Sequence, residues 1–93
     1  MKHCILVKWK DPEAAKPRYP AIQSLFAAVK DIPGVSEVEL IENCVARSNR
    51  YDLLIRITME EASLPEYDAS AAHKRWKAEY GAYIETKAIF DYE

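Results

Sequence analysis

The chain has 93 residues, enough for one domain and one core, with 49% hydrophobic residues and a net charge of −2. That balance argues against a nucleic-acid binder, which needs a basic stripe, and the interspersed acids and bases leave no membrane-binding patch. No apolar run approaches the roughly 20 residues that a bilayer span requires.

The amino-terminal segment Lys2 to Asp11 alternates as a strand, with His3, Ile5, Val7 and Trp9 on one side and Cys4, Leu6, Lys8 and Lys10 on the other. It has no signal-peptide shape. With Cys4 and Cys44 as isolated thiols lacking metal-type spacing, a reducing cytoplasm is the expected setting. Asp11 to Pro20 holds three prolines and is expected to be a connection. Pro20 suits a helix's first turn, and Ile22, Leu25, Phe26 and Val29 follow at helical spacing until Pro33-Gly34.

Val35 to Val45 is predicted as a second strand, partly solvated through Glu37, Glu39 and Glu42. A polar turn over 46–50 leads to a third strand, Tyr51 to Met59, with Leu53, Ile55, Ile57 and Met59 on one face. Ser63 and Glu66 have capping-box spacing around Leu64-Pro65. They start a short helical turn through Tyr67, after which Asp68 or Ser70 can cap a second helix to about Tyr80. That helix would turn Ala69, Ala72, His73, Trp76 and Tyr80 inward, and Lys74, Arg75, Lys77 and Glu79 outward. Ile84 to Tyr92 is the last strand.

The order is βαββαβ. It predicts an α+β, ferredoxin-like fold: a four-stranded antiparallel sheet with two helices on one face. The other face would carry Cys4, Leu6, Leu54, Phe90 and Tyr92 among Lys8, Lys10 and Arg56. An apolar face of that size rarely stays in water, so a second copy is its expected cover, making a homodimer.

Pairing the terminal strands antiparallel would set His3 near Asp91, and a carboxylate beside an imidazole holds one tautomer. The pair suits either an ion pair closing the sheet or the end wall of a cavity. His73, on an apolar helix face, suits a core histidine satisfied by a carbonyl or a tyrosine hydroxyl. Tyr67 and His73 are six residues apart, about 600° of unbroken helix, so they would converge only across a break near Asp68 to Ser70. Trp76, Tyr80 and Phe26 at helical spacing pack a core; only an open cavity would make them flat walls for a small hydrophobic ligand, over a floor of Ile5, Val7 and Ile89. His3, His73 and Asp91 are metal-accepting types without ligand spacing, so neither metal nor cofactor is expected.

Lys2-His3 leading strand one, Trp9-Lys10-Asp11 at its end, Ile32-Pro33-Gly34-Val35, Tyr51-Asp52, Tyr67 followed six residues later by His73, and Ile89-Phe90-Asp91-Tyr92 form one ordered set. In these the chain resembles the stress-responsive dimeric α/β barrel family over nearly its whole length. The resemblance implies two ferredoxin-like sheets joined into a barrel across a homodimer. Some members of the family are linked to stress responses, and a plant branch includes a polyketide cyclase. It further implies Tyr67 and His73 as an acid/base pair acting on a carbonyl or polyketide-like compound, with His3 and Asp91 lining the pocket. Two positions depart from the family's pattern. Ser70-Ala71-Ala72-His73 stands where the family has His-Pro-x-His, and Leu53 stands where some members place a pocket histidine. Two other functions suit the same fold: a ligand-binding or stress-associated dimer without catalysis, and a haem-degrading or antibiotic-biosynthesis-type monooxygenase with His73 on iron. The latter tends to place an asparagine in a first strand that here has none.

Overall fold

The computed structural model describes residues 1–93. Strands β1 (Lys2–Trp9), β2 (Val35–Glu42), β3 (Leu53–Met59) and β4 (Ile84–Tyr92) form one antiparallel sheet in the order β2-β3-β1-β4. Helices α1 (Pro12–Ala15) and α2 (Tyr19–Ala27) make the first crossover, and α3 (Leu64–Ala69) and α4 (Ala71–Tyr80) the second. This is the ferredoxin-like α+β fold expected from the pattern. No helix is long and apolar enough to cross a membrane.

The alternation of β1 and β3 becomes burial on one face: Ile5, Val7 and Trp9 meet Leu53, Ile55, Ile57 and Met59, all buried. Ile22, Leu25 and Phe26 of α2 close over them. Trp76 of α4 fills the centre, its ring centroid 5.2 Å from that of Phe26 and 6.2 Å from that of Trp9, both edge-on.

Four local readings change. The segment from Asp11 to Pro20 is helical rather than a plain connection, because each of its prolines sits in the first turn of a short piece, where a missing N–H costs nothing. Asp11 caps the first piece, its Oδ1 accepting from the amides of Glu13 and Ala14. Strand β2 stops at Glu42, not Val45: the Asn43 side chain bonds the Val45 backbone in both directions and draws the chain out of the ladder. Strand β3 starts at Leu53, since the Asp52 carboxylate is taken by the Trp9 amide at 2.8 Å. Ser63 does not form a capping box. Its hydroxyl donates to the Pro33 carbonyl at 2.7 Å, and it sits where a Cβ on Gly34 would fall, so glycine at φ +89° is needed there both for conformation and for room.

The face away from the helices has no cover within the chain. Register puts Cys4 between Arg56 and Phe90, and Leu6 beside Leu54. Phe90 is 62% exposed, and Tyr92 and Ile41 are exposed too. Arg56 crosses this face, giving two hydrogen bonds to the Glu39 carboxylate at 3.2 and 2.8 Å, which holds Glu39 below the usual carboxylate range.

Candidate active site

The β1/β4 register sets His3 opposite Asp91, and the imidazole Nδ1 lies 2.5 Å from Asp91 Oδ1. A carboxylate only accepts, so Nδ1 carries the proton and Nε2 is the nitrogen left for other work. The His3 side chain is buried, whereas Asp91 is about two-fifths exposed at the open end.

The second half of the site depends on a break in the helix. Ser70 is extended (φ −68°, ψ 155°), between α3 and α4. Its hydroxyl donates to the Tyr67 carbonyl at 2.6 Å and accepts from the His73 amide at 3.2 Å, ending one helix and capping the next. A continuous helix would point Tyr67 and His73 apart; the break brings their ring centroids to 4.9 Å. His73 Nδ1 donates to the Asp68 carbonyl at 2.9 Å, which again leaves Nε2 as the free nitrogen. The Tyr67 ring also meets the His3 ring edge-on at 5.4 Å, so the phenol stands between two imidazoles.

Tyr67 is 1% exposed, and its hydroxyl has no hydrogen-bond partner in the protein. Buried hydroxyls are nearly always paired, so this one stands out. Burial, reinforced by the Asp68 carboxylate, holds the phenol far above its ordinary range. Tyr67 is therefore a neutral O–H donor and not a phenolate base.

These groups surround a cleft of about 320 Å³ walled by Ile5, Leu64, Trp76 and Ile89, with Asp68, Lys77 and Lys87 at its rim. Larger hollows occur elsewhere. That of about 540 Å³ between α2 and α4 has Arg75 and Glu79 as its only charges, and these pair with each other at 3.2 Å. The His3–Tyr67–His73 end is set apart by a buried, unpartnered hydroxyl beside two imidazoles.

Of the residues singled out from sequence, His3, Ile5, Tyr67, His73, Trp76, Ile89 and Asp91 line this cleft. Val7, Phe26 and Tyr80 do not. Val7 and Phe26 are fully buried, and Tyr80 packs on Trp76 at 5.4 Å from the other side, its edge facing the hollow between the helices. Ala69 is exposed, not inward. Lys77 is not simply a solvated helix residue, because it reaches the rim. The signal for it was present: Lys77 lies four residues after His73, on the same helix stripe. Lys87 likewise shares the face of Ile89 and Asp91 by strand alternation.

No family model matches the chain, and no curated protein matches it. Solved structures do. A dimeric protein of unknown function with a ferredoxin-like fold from Bacteroides fragilis is 18% identical, with a TM-score of 0.80 over 99% of this chain and 93% of that one. A dabb family protein with a ferredoxin-like fold from Mesorhizobium loti is 14% identical, with a TM-score of 0.74 over 99% and 93%. A hydroxynitrile lyase from Passiflora edulis is 13% identical, with a TM-score of 0.75 over 98% and 89%. The fold is thus shared with a dabb family protein, in agreement with the sequence resemblance, and with an enzyme.

Proposed function

We propose that this chain binds a small carbonyl compound at the His3–Asp91 end of its sheet and moves a proton on it, Tyr67 acting as acid and His73 as base. The observation that carries this is the buried, unpartnered Tyr67 hydroxyl held between two imidazoles whose Nδ1 atoms are both already engaged. A substrate carbonyl oxygen supplies the acceptor that the hydroxyl lacks. As His73 Nε2 takes a proton from the adjoining carbon, negative charge develops on that oxygen. The Tyr67 O–H donates its hydrogen bond and then its proton to it, and the proton held by His73 restores the phenol before the next cycle. The His3–Asp91 pair closes the end of the cleft and fixes the second imidazole. Cyclisation and isomerisation of carbonyl compounds fall within this class. Cyanohydrin cleavage is acid/base chemistry too: His73 Nε2 would take the hydroxyl proton, the C–CN bond would break as the C=O forms, and the departing cyanide would leave as HCN with the proton His73 gives back. The similarity to a hydroxynitrile lyase supports that wider reading. None of these steps calls for a cofactor.

The test is turnover of a panel of β-diketones and aromatic cyanohydrins by the wild type and by His73→Ala, with circular dichroism as the folding control. The variant is expected to be folded and slowed by about 10²- to 10⁴-fold. Equal turnover by the folded variant, or none by the wild type on either substrate class, would remove the proposal.

The working form is proposed to be a homodimer joined through the open sheet face. Exposed Phe90, Tyr92 and Ile41 support it, as does the dimeric state of the Bacteroides fragilis structure. Phe90→Asp would bury a carboxylate against apolar partners. In sedimentation at micromolar concentration it should run as a monomer while the wild type runs as a dimer. A compact wild-type monomer would refute the interface.

A further inference from the structure

We infer that the compound taken by this cleft carries a carboxylate as well as its carbonyl, and that Lys77 and Lys87 hold the carboxylate at the rim. This rests on the functional reading above only for which end of the compound reaches Tyr67. Lys77 comes from α4 and Lys87 from β4, so they approach the cleft from opposite sides. Neither has a carboxylate within 4 Å, a state they share with several other basic residues of the chain; what sets them apart is that both reach one cleft.

The acids nearby are mostly committed. Asp91 is held by His3, and Glu85 lies 3.8 Å from Lys8. Asp68 is the remaining rim carboxylate, and neither lysine forms an ion pair with it or with Asp91. The lysines also mark a seam. A second hollow, of about 310 Å³, adjoins the cleft and shares Trp76, Lys77 and Lys87 with it. A compound longer than the cleft would pass its tail between this pair into the second hollow, with Trp76 lining both. Lysine stems cover apolar wall and present their charge at the mouth. That arrangement suits a ligand apolar in its body and anionic at its tail.

The test uses 4-acetylbenzoate, its neutral analogue 4-acetylbenzamide and the cationic 4-acetyl-N,N,N-trimethylanilinium, each titrated into the full chain by calorimetry and by amide chemical shifts. At about 20 mM salt, where screening is weak, the benzoate should bind roughly tenfold tighter than the amide, with shifts centred on Lys77, Lys87 and Tyr67. The double variant Lys77→Gln/Lys87→Gln should lower that ratio to about one, and Lys77→Arg/Lys87→Arg should restore it. Equal affinity for benzoate and amide, no benzoate binding at millimolar concentration, or a ratio unchanged in the glutamine variant would overturn the inference. So would preference for the cation, which would assign the rim to Asp68. His73→Ala slows turnover under the functional reading but leaves the benzoate preference in place, so the two ideas fail separately.

Discussion

Tyr67→Phe should make the protein slower by about 10²- to 10⁴-fold and more stable by about 1 kcal/mol. The two effects have one origin. The hydroxyl is buried and makes no hydrogen bond in the protein, so removing it relieves a desolvation cost and opens no cavity larger than one oxygen. The same atom is the proposed proton donor, so turnover falls. Urea unfolding alongside turnover of a carbonyl substrate separates this from a structural role: a variant that loses stability but keeps its rate would end the acid assignment. The alkaline limb gives a further check. Burial raises the folded phenol above its ordinary value of 10.0, so above that pH the unfolded chain has released a proton that the folded one retains. Stability therefore falls as pH rises past about 10. Tyr19, also raised by burial, adds a loss of the same sign. The part due to Tyr67 is the difference between wild type and Tyr67→Phe, and it should vanish in the variant.

Trp76→Ala should cost about 3–5 kcal/mol, a large share of the 5–15 kcal/mol that typically holds a domain together. Trp76 is 1% exposed and touches aromatic rings on three sides: Trp9, Phe26 and Tyr80. No neighbour can collapse into the space without leaving its own contacts, so the cavity term adds to the lost transfer energy. Trp76 also walls the candidate site, so the variant that survives should bind carbonyl ligands more weakly. Trp76→Phe keeps most of the packing and separates these effects. It should fall between the two in denaturation midpoint while still altering ligand affinity. A loss below about 1 kcal/mol for alanine would show that the centre of the core lies elsewhere.

The sheet was legible because strand parity is a strict period of two. Once Ile5 and Val7 face the helices, Cys4 and Leu6 must face away, and the β1/β4 register then sets His3 against Asp91. A helix break was legible from Asp68 and Ser70, either of which could cap the second helix; Ser70 is the one that does. The cleft's walls were less so. Phe26 and Tyr80 recur at the same spacing as Trp76, and periodicity says which side a ring faces, not whether its neighbours fill the space beside it. Ser63 shows a further limit. Its capping spacing with Glu66 is local, whereas the Pro33 carbonyl that takes its hydroxyl is thirty residues away and appears only with the tertiary fold. The end of β2 turned on the Asn43 side chain taking the Val45 amide and carbonyl, a local competition with continued strand pairing.

His3 and Asp91 are 88 positions apart in the chain, and β4 sits at the sheet's edge with β1 as its sole neighbour. Closing so long a loop costs only slightly more than closing a short one, since each doubling of length adds about 0.6 kcal/mol, and the β1/β4 ladder offsets it when the final strand docks. The pair therefore exists only while this edge strand stays docked, and any change that frays β4 takes the two side chains apart.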